Sequence, residues 1–103
     1  MKITPIELFQ INAPRYYGQL SGHVLVKLQV DQGPVGWGET PDSIAEDLGP
    51  MAARYCQLLL GQDATRITEI NTLLRAQRFG SKVSDGHWVS AIDLSLLDLN
   101  GKA

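Results

Sequence analysis

A stretch of strict alternation in the first third of the chain constrains its fold more than any other feature. In HVLVKLQV, residues 23–30, apolar residues occupy one face and mixed residues the other. Alternation with a period of two, rich in β-branched residues, is typical of a half-buried strand. The turn DQGP at 31–34 then leads back into VGWGE at 35–39. We therefore predict a β-hairpin over residues 23–39.

The hydrophobic period changes after Pro41. Apolar residues then recur at steps of three and four, as on one face of a helix: Ile44, Leu48, Met51, Tyr55 and Leu59. Ser43 and Glu46 have the spacing of a capping box. Pro50 lies inside this stripe and cannot donate a helical hydrogen bond, so we expect a kink or a short first helix there.

The whole order predicts three strands followed by three helices in one domain, residues 1–103. We place the strands at about 2–11, 23–31 and 35–39. We place the helices at about 43–60, 64–78 and 85–100, with Asp63 or Thr65 as the cap of the second helix. Strands and helices in separate runs indicate an α+β fold with a three-stranded antiparallel β-meander.

The third predicted helix has two apolar faces. Its core-facing stripe spans about 100° on a helical projection and consists of Trp88, Val89, Ile92, Leu96 and Leu99. A second face carries Ala91, Leu94 and Leu97. These leucines favour a second contact beyond this domain, although isolated exposed leucines are also normal in proteins. Asp85 is the predicted N-cap and Gly101 the predicted left-handed C′ residue.

Composition excludes several classes of function. The net charge is -2 with the two signs interspersed, which speaks against a nucleic-acid or anionic-membrane partner. No apolar run approaches the length of a spanning helix, and the N-terminus lacks the features of a signal peptide. Cys56 is the only cysteine, which fits a reducing compartment. We expect a cytoplasmic protein.

No group of residues has the spacing of a catalytic or metal site. Asp93 and Asp98 are five residues apart, which does not put them on one helix face. His23 and His87 have no cysteine or carboxylate at ligand spacing, and Cys56 lies in an apolar helix. We therefore expect no catalytic residue, no metal ligand and no cofactor within this chain.

A binding role is more plausible, and it centres on the connection between the first two strands. The sequence PRYYGQLSG combines Arg15, Tyr16, Tyr17 and Gly18. Loops held on a scaffold often bind ligands, and arginine suits a carboxylate through paired hydrogen bonds. The alternative is an ordinary loop whose tyrosines pack over the sheet, and the residues alone do not decide between the two.

Two stretches together resemble a known family. GPVGWGETPD closes the hairpin and SAIDLSLLDLNGKA closes the third helix. They resemble the N-terminal capping domain of the mandelate racemase/muconate lactonizing enzyme group of the enolase superfamily. The closing stretch departs from the group at Ser95 and Leu97, where alanine and tryptophan are common. LLLGQDATRITEINTLLR, residues 58–75, resembles the group's step into the second helix, so the resemblance covers essentially all of the chain.

The resemblance implies an enolase N-terminal domain-like fold whose catalytic partner is absent from this sequence. Members continue into a C-terminal barrel domain of about 250 residues. The barrel supplies the Mg²⁺ ligands and the bases that abstract a proton α to a carboxylate. The complete enzymes are isomerases or lyases: racemases, acid-sugar dehydratases or cycloisomerases. The implied partners are the barrel and a small carboxylate substrate.

The resemblance also implies that two loops of this domain contact substrate. By position they correspond to residues 15–21 and to about 40–43. The candidate substrate-binding residues are Arg15, Tyr16, Tyr17, Gly18, Thr40 and Asp42. An alternative function is a free-standing interaction module that forms a homo-oligomer, or docks on another subunit, through its third helix.

Overall fold

The computed structural model contains a three-stranded antiparallel sheet followed by three helices, which confirms the predicted α+β class. It describes residues 1–14, 20–40, 50–79 and 82–103. The strands are β1 (Glu7–Pro14), β2 (Leu20–Leu28) and β3 (Gly36–Thr40), in the spatial order β1-β2-β3. The helices are α1 (Pro50–Leu59), α2 (Ile67–Arg75) and α3 (Lys82–Lys102).

β1 begins at Glu7, later than the sequence prediction of residue 2. Ile3 still forms a bridge to Val30 beside β2, but Pro5 interrupts the ladder because proline has no N–H to donate. The side chain of Gln29 spans the interruption. Its Nε2 donates to the carbonyl oxygen of Pro5 at 3.3 Å and to Oε1 of Glu7 at 3.0 Å.

α3 packs directly on β3 because the inner face of β3 has two glycines. Gly36 and Gly38 are buried. A Cβ atom at Gly38 would collide with the carbonyl oxygen of Ala91, and one at Gly36 would collide with that of Ser95. This close approach buries Ala91 completely. Its predicted place on the second, outward face of the helix is therefore wrong.

The hydrophobic core lies between the sheet and the helices. The predicted stripe of α3 is buried, as are the alternating residues of β2 and the inward residues of the first two helices. The largest of these side chains are Trp88, Tyr55, Ile3, Leu28, Leu59, Ile70, Leu74, Leu96 and Leu99. Both periodicities therefore identify the core correctly for most of the residues whose burial is described, although Val30 is only partly buried. The burial of Ile44, Leu48 and Met51 lies outside the described part of the chain.

The structure corrects three details of the predicted helix ends. α3 already begins at Lys82, so Asp85 belongs to its first turn and is not its N-cap. Gly101 lies inside α3, which continues to Lys102. α2 has Arg66 at its N-cap position with no side-chain capping bond.

α1 begins and ends at residues that suit those positions. Pro50 is its first residue, where the missing N–H has no consequence. Gly61 follows its last turn with φ of +82°, a left-handed conformation that favours glycine at helix ends. The predicted capping box of Ser43 and Glu46 lies outside the described residues.

Candidate functional site

The two segments that the resemblance assigns to substrate leave the sheet at the same end. β1 and β2 pair Pro14 with Leu20 at the limit of their ladder. β2 and β3 pair Val24 with Thr40, and Thr40 is the last residue of β3. The two undescribed segments that follow Pro14 and Thr40 therefore start from one end of the sheet. We call it the β1–β2 end.

The opposite end, where Leu28 pairs with Gly36, we call the β2–β3 end. It contains the end of α1, because Gly61 donates its N–H to the carbonyl oxygen of Ile3 at 2.9 Å. It also contains the start of α2 and the end of α3, because Nδ2 of Asn100 donates to the carbonyl oxygen of Ala64 at 2.9 Å. The start of α1, the end of α2 and the start of α3 consequently lie towards the β1–β2 end.

Only one of the six candidate substrate-binding residues lies in the described part of the chain. Thr40 ends β3 on the buried face of the sheet, with a fully buried side chain. The other five lie outside the described residues: Arg15, Tyr16, Tyr17, Gly18 and Asp42. The structure thus brings together the borders of the two predicted loops, and the role of the individual side chains stays a prediction.

A buried polar cluster joins the helices towards the β1–β2 end. The Tyr55 hydroxyl in α1 donates to Oδ1 of Asp85 in α3 at 2.6 Å, and the N–H of Phe79 donates to the same oxygen at 3.2 Å. The rings of Tyr55 and Phe79 meet edge to face, with centroids 4.8 Å apart. One carboxylate oxygen therefore links α1, the α2–α3 connection and α3.

Burial and the neighbouring carboxylate keep the Tyr55 phenol protonated. Removal from water raises the pKa of Tyr55 above its usual value, and the hydrogen bond to Asp85 and the negative charge of Asp85 raise it further. The hydroxyl therefore remains a donor across the physiological pH range, because the charged phenolate would be both desolvated and close to another anion.

Sequence reasoning placed Tyr55 on the helical stripe but missed its partner. A buried tyrosine hydroxyl almost always has a hydrogen-bond partner, so the stripe itself was a signal that one existed. Nothing in the spacing points to Asp85, which is 30 residues away along the chain.

A small cavity lies between the end of α2 and the start of α3. It has a volume of about 300 Å³ and is lined by Leu74, Arg75, Gln77, Arg78, Asp85, Gly86, Val89 and Ser90. The Arg78 guanidinium beside it donates to the carbonyl oxygens of Arg75 and Gln77 at 2.8 and 2.7 Å. The Arg78 side chain therefore caps backbone carbonyl groups at the end of α2.

A second feature is an exposed apolar surface formed by the outer face of the sheet and the neighbouring side of α3. It consists of Phe9, Trp37, Leu94 and Leu97, which are 41%, 42%, 52% and 52% exposed, and we call it the outer apolar face. The rings of Phe9 and Trp37 lie 6.1 Å apart across the outside of the sheet. A shallow groove between β3 and α3 joins Trp37 to the two leucines.

The free edge of β3 beside this groove is covered by the end of α3. Oδ2 of Asp98 accepts the N–H of Trp37 at 2.9 Å and the ammonium of Lys102 at 2.7 Å. Lys102 also donates to the carbonyl oxygen of Val35 at 3.0 Å. These contacts occupy groups that an exposed sheet edge would otherwise offer to another strand.

Within the described part of the chain, no group of three or more His, Cys, Asp or Glu side chains could hold a metal ion. Burial raises the pKa of the Cys56 thiol, which disfavours the nucleophilic thiolate. Among the described residues, no helix is long and apolar enough to cross a membrane.

Comparison with known proteins relates the chain to one group of enzymes. The family profile described as "Mandelate racemase / muconate lactonizing enzyme, N-terminal domain" matches residues 16–103. D-galactonate dehydratases from Pectobacterium atrosepticum and Variovorax paradoxus are 31% and 28% identical to the chain over 105 residues. Each match covers 100% of this chain and 25% of the relative, so the chain spans about a quarter of the length of these relatives.

A solved structure gives the same relationship at the level of the fold. An enolase from Agrobacterium radiobacter, with bound Na and L-malate, is 32% identical to the chain and superposes with a TM-score of 0.78. The match covers 96% of this chain and 24% of that one.

Proposed function

The chain belongs to the mandelate racemase/muconate lactonizing enzyme family as its N-terminal domain, and from this premise we propose that it caps the substrate site of such an enzyme. The proposed reaction is Mg²⁺-dependent abstraction of a proton α to a carboxylate. The complete enzyme would be an isomerase or a lyase acting on a small carboxylate. The chain itself would select substrate and exclude water, without catalysing the reaction alone.

The observation that carries this proposal is the common origin of two loops. The segments after Pro14 and after Thr40 start from the same end of the sheet, although they are separated by the whole of β2 and β3. Two loops at one end of a rigid domain can close over a ligand together, whereas loops at opposite ends cannot. Arg15 in the first segment suits a substrate carboxylate.

We place the magnesium ligands and the catalytic base of the proposed enzyme in the barrel domain. No group of three or more possible metal ligands occurs among the described residues, and Mg²⁺ takes several oxygen ligands, so no step of the reaction is assigned to them. The relatives named D-galactonate dehydratase make an acid sugar our first choice of substrate.

The outer apolar face is the proposed docking surface for the barrel. Leu94 and Leu97 expose half of their side chains on α3, and each leucine would contribute roughly 1.5–3 kcal/mol if fully buried. Trp37 extends the surface onto the sheet. A helix on the surface of a complete domain is usually polar on the side that faces away from the core of that domain.

A complementation experiment tests the capping function. The barrel portion of the Pectobacterium atrosepticum D-galactonate dehydratase is assayed with D-galactonate and Mg²⁺ alone, fused to its own N-terminal quarter, and fused to this chain. We expect activity from both fusions, little from the barrel alone and none from this chain alone. Turnover by this chain alone, or a fusion no more active than the bare barrel, would contradict the proposal.

The exposed leucines also motivate a second candidate function, a free-standing module that self-associates through α3. Sedimentation of the 103-residue chain at several concentrations distinguishes the two. Association that is abolished by Leu94→Ser and Leu97→Ser favours the module. A chain that remains monomeric at all concentrations rules it out.

A further inference from the structure

We propose that Asp85 is a positioning residue that fixes the substrate-facing end of this domain, an inference that rests on the proposed capping function. Asp85 is 6% exposed, so it does not itself present a charge to a ligand. Its effect on substrate would pass through the elements that it holds together.

Residues from three parts of the chain meet at one carboxylate oxygen of Asp85. Oδ1 of Asp85 accepts from the Tyr55 hydroxyl at 2.6 Å and from the N–H of Phe79 at 3.2 Å. Tyr55 belongs to α1, Phe79 follows α2, and Asp85 lies in the first turn of α3. Hydrogen bonds to a charged acceptor are stronger than neutral ones, and here both donors are directed at the same buried oxygen.

Tyr55 connects this contact to the sheet end. It lies five residues after Pro50, the first residue of α1, which is about 7.5 Å along the helix. The chain enters α1 from the segment that follows Thr40 at the end of β3. Holding Tyr55 therefore restricts where that segment can finish, and the segment starts at the proposed substrate-facing end.

The surroundings of the contact also favour a fixed geometry. The Phe79 ring packs against Tyr55 on one side, and the Arg54 guanidinium lies 5.7 Å from the centre of the Phe79 ring. The Tyr55 side chain is fully buried. A buried aromatic with both its ring and its hydroxyl engaged has one favoured position, so the start of α1 has little freedom relative to α3.

Amide hydrogen exchange on the 103-residue chain tests the positioning directly, without any need for activity. Tyr55→Phe removes the hydroxyl and keeps the ring, and Asp85→Ala removes the acceptor. Asp98→Ala is the matched control, because Asp98 also collects a backbone N–H and a side-chain donor but lies at the β2–β3 end. We expect exchange to rise about tenfold or more in α1 and residues 76–79 for the first two variants. The control should raise exchange only in β3 and at the end of α3.

Kinetics on the active fusion described above adds a readout that a purely structural role would not move. We expect Tyr55→Phe to raise KM for D-galactonate several-fold with little change in kcat. Asp63→Ala should leave KM unchanged, because it removes a similar shared acceptor at the β2–β3 end and away from the outer apolar face. Should Asp85→Ala fail to fold, Tyr55→Phe decides the matter. Exchange that rises evenly over the chain, or an unchanged KM in an active Tyr55→Phe fusion, overturns the positioning role. An inactive fusion counts against the capping function instead, and the exchange result then decides whether Asp85 fixes this end.

Discussion

At the β2–β3 end, main-chain hydrogen bonds join the N-terminal residues to the turn between α1 and α2. Towards the β1–β2 end, described residues from α1, the α2–α3 connection and α3 meet instead at the side chain of Asp85. Ile3 both donates to Gln62 at 2.8 Å and accepts from Gly61 at 2.9 Å, and Ala64 donates to Met1 at 2.8 Å. Substitution of a side chain by any residue other than proline leaves these main-chain donors and acceptors in place. At the other end, Tyr55 and Phe79 share one oxygen of Asp85.

The difference teaches which end can be tuned by mutation. Redundant backbone bonds resist the loss of any one side chain, because the remaining bonds keep the geometry. One substitution can remove a shared side-chain acceptor, and this leaves the buried donors without a hydrogen-bond partner. Among the described residues, the helix contacts towards the end proposed to face substrate therefore depend more on one side chain, Asp85, than the main-chain contacts at the β2–β3 end depend on any one side chain.

The contact between β3 and α3 supports both ends, so breaking it should have the largest effect. Gly38→Ala forces a methyl group against the carbonyl oxygen of Ala91, and we expect a loss of at least about 3 kcal/mol in the free energy of unfolding. Gly86→Ala is the matched control, because a Cβ there meets nothing within 4 Å. In the helix α3 it should stabilise by about 0.5–1 kcal/mol. Urea unfolding checks both, and equal effects would contradict the packing described.

The next largest effect on the free energy of unfolding is expected from substitutions that compare the two ends. Asp85→Ala leaves the buried Tyr55 hydroxyl and the Phe79 N–H without their acceptor, so we expect a loss of about 2–3 kcal/mol in unfolding free energy. Asn100→Ala at the β2–β3 end removes one neutral side chain that donates to Ala64 and Leu96. Its loss should be about 1 kcal/mol. Calorimetry or urea unfolding compares the two, and a reversed order would remove the distinction between the ends.

The two ends should also respond to opposite extremes of pH. At the β2–β3 end, the hydrogen bond from Lys102 and then that from the Trp37 N–H lower the pKa of Asp98. A lowered carboxyl pKa gives stability that is present above the usual value of about 3.9 and is lost as the pH falls through the lowered pKa. Asp98→Asn should therefore flatten the loss of stability below about pH 4.

Towards the β1–β2 end the sign is reversed. The pKa of Tyr55 is raised, so its contribution is complete below the usual tyrosine pKa of about 10 and is lost as the pH rises through the raised value. Tyr55→Phe should flatten the loss of stability above about pH 10. Urea unfolding between pH 3 and 11 measures the free energy of unfolding at both extremes. If stability still falls above pH 10 in Tyr55→Phe, ionisation of Tyr55 is not the cause of that fall.

The smallest effect is expected on the outer apolar face. Leu97→Ser in the isolated chain removes a side chain that is half exposed, and the free energy of unfolding should change by no more than about 0.5 kcal/mol. Leu96→Ala, one residue earlier on the buried face, should cost about 2–5 kcal/mol. A large loss for Leu97→Ser would show that this face is structural within the domain rather than free to dock.

The sequence predicted the layers of the fold well because burial imposes a period. The alternation through β2 and the stripe of α3 from Trp88 to Leu99 each follow from which face meets the core. Ala91 was placed wrongly since a projection around one helix cannot show that a glycine-lined strand will approach it closely. The start of α3 at Lys82 was missed because Asp85 has the residue type of a local cap, whereas its side chain accepts hydrogen bonds from Tyr55 and Phe79.

The candidate site was predictable only in part. The family resemblance assigned two segments to substrate, and the strand register shows that their borders share one end, which no local pattern could establish. The pairing of Tyr55 with Asp85 is a contact between distant residues, and short-range spacing carries no signal for it. The contacts by which Asp98 and Lys102 cover the free edge of β3 were likewise missed, although a separation of four residues on a helix favours an ion pair between them.

The most direct test of the central claim, that this chain selects substrate but does not determine the reaction, is a specificity ratio. The fusion of this chain to the Pectobacterium atrosepticum barrel is compared with that barrel carrying its own N-terminal quarter. For each, kcat/KM is measured for D-galactonate and for a second acid sugar. We predict that the ratio of the two values changes at least several-fold while the reaction type stays the same. An unchanged ratio, or a new reaction that appears with this chain, would contradict the account.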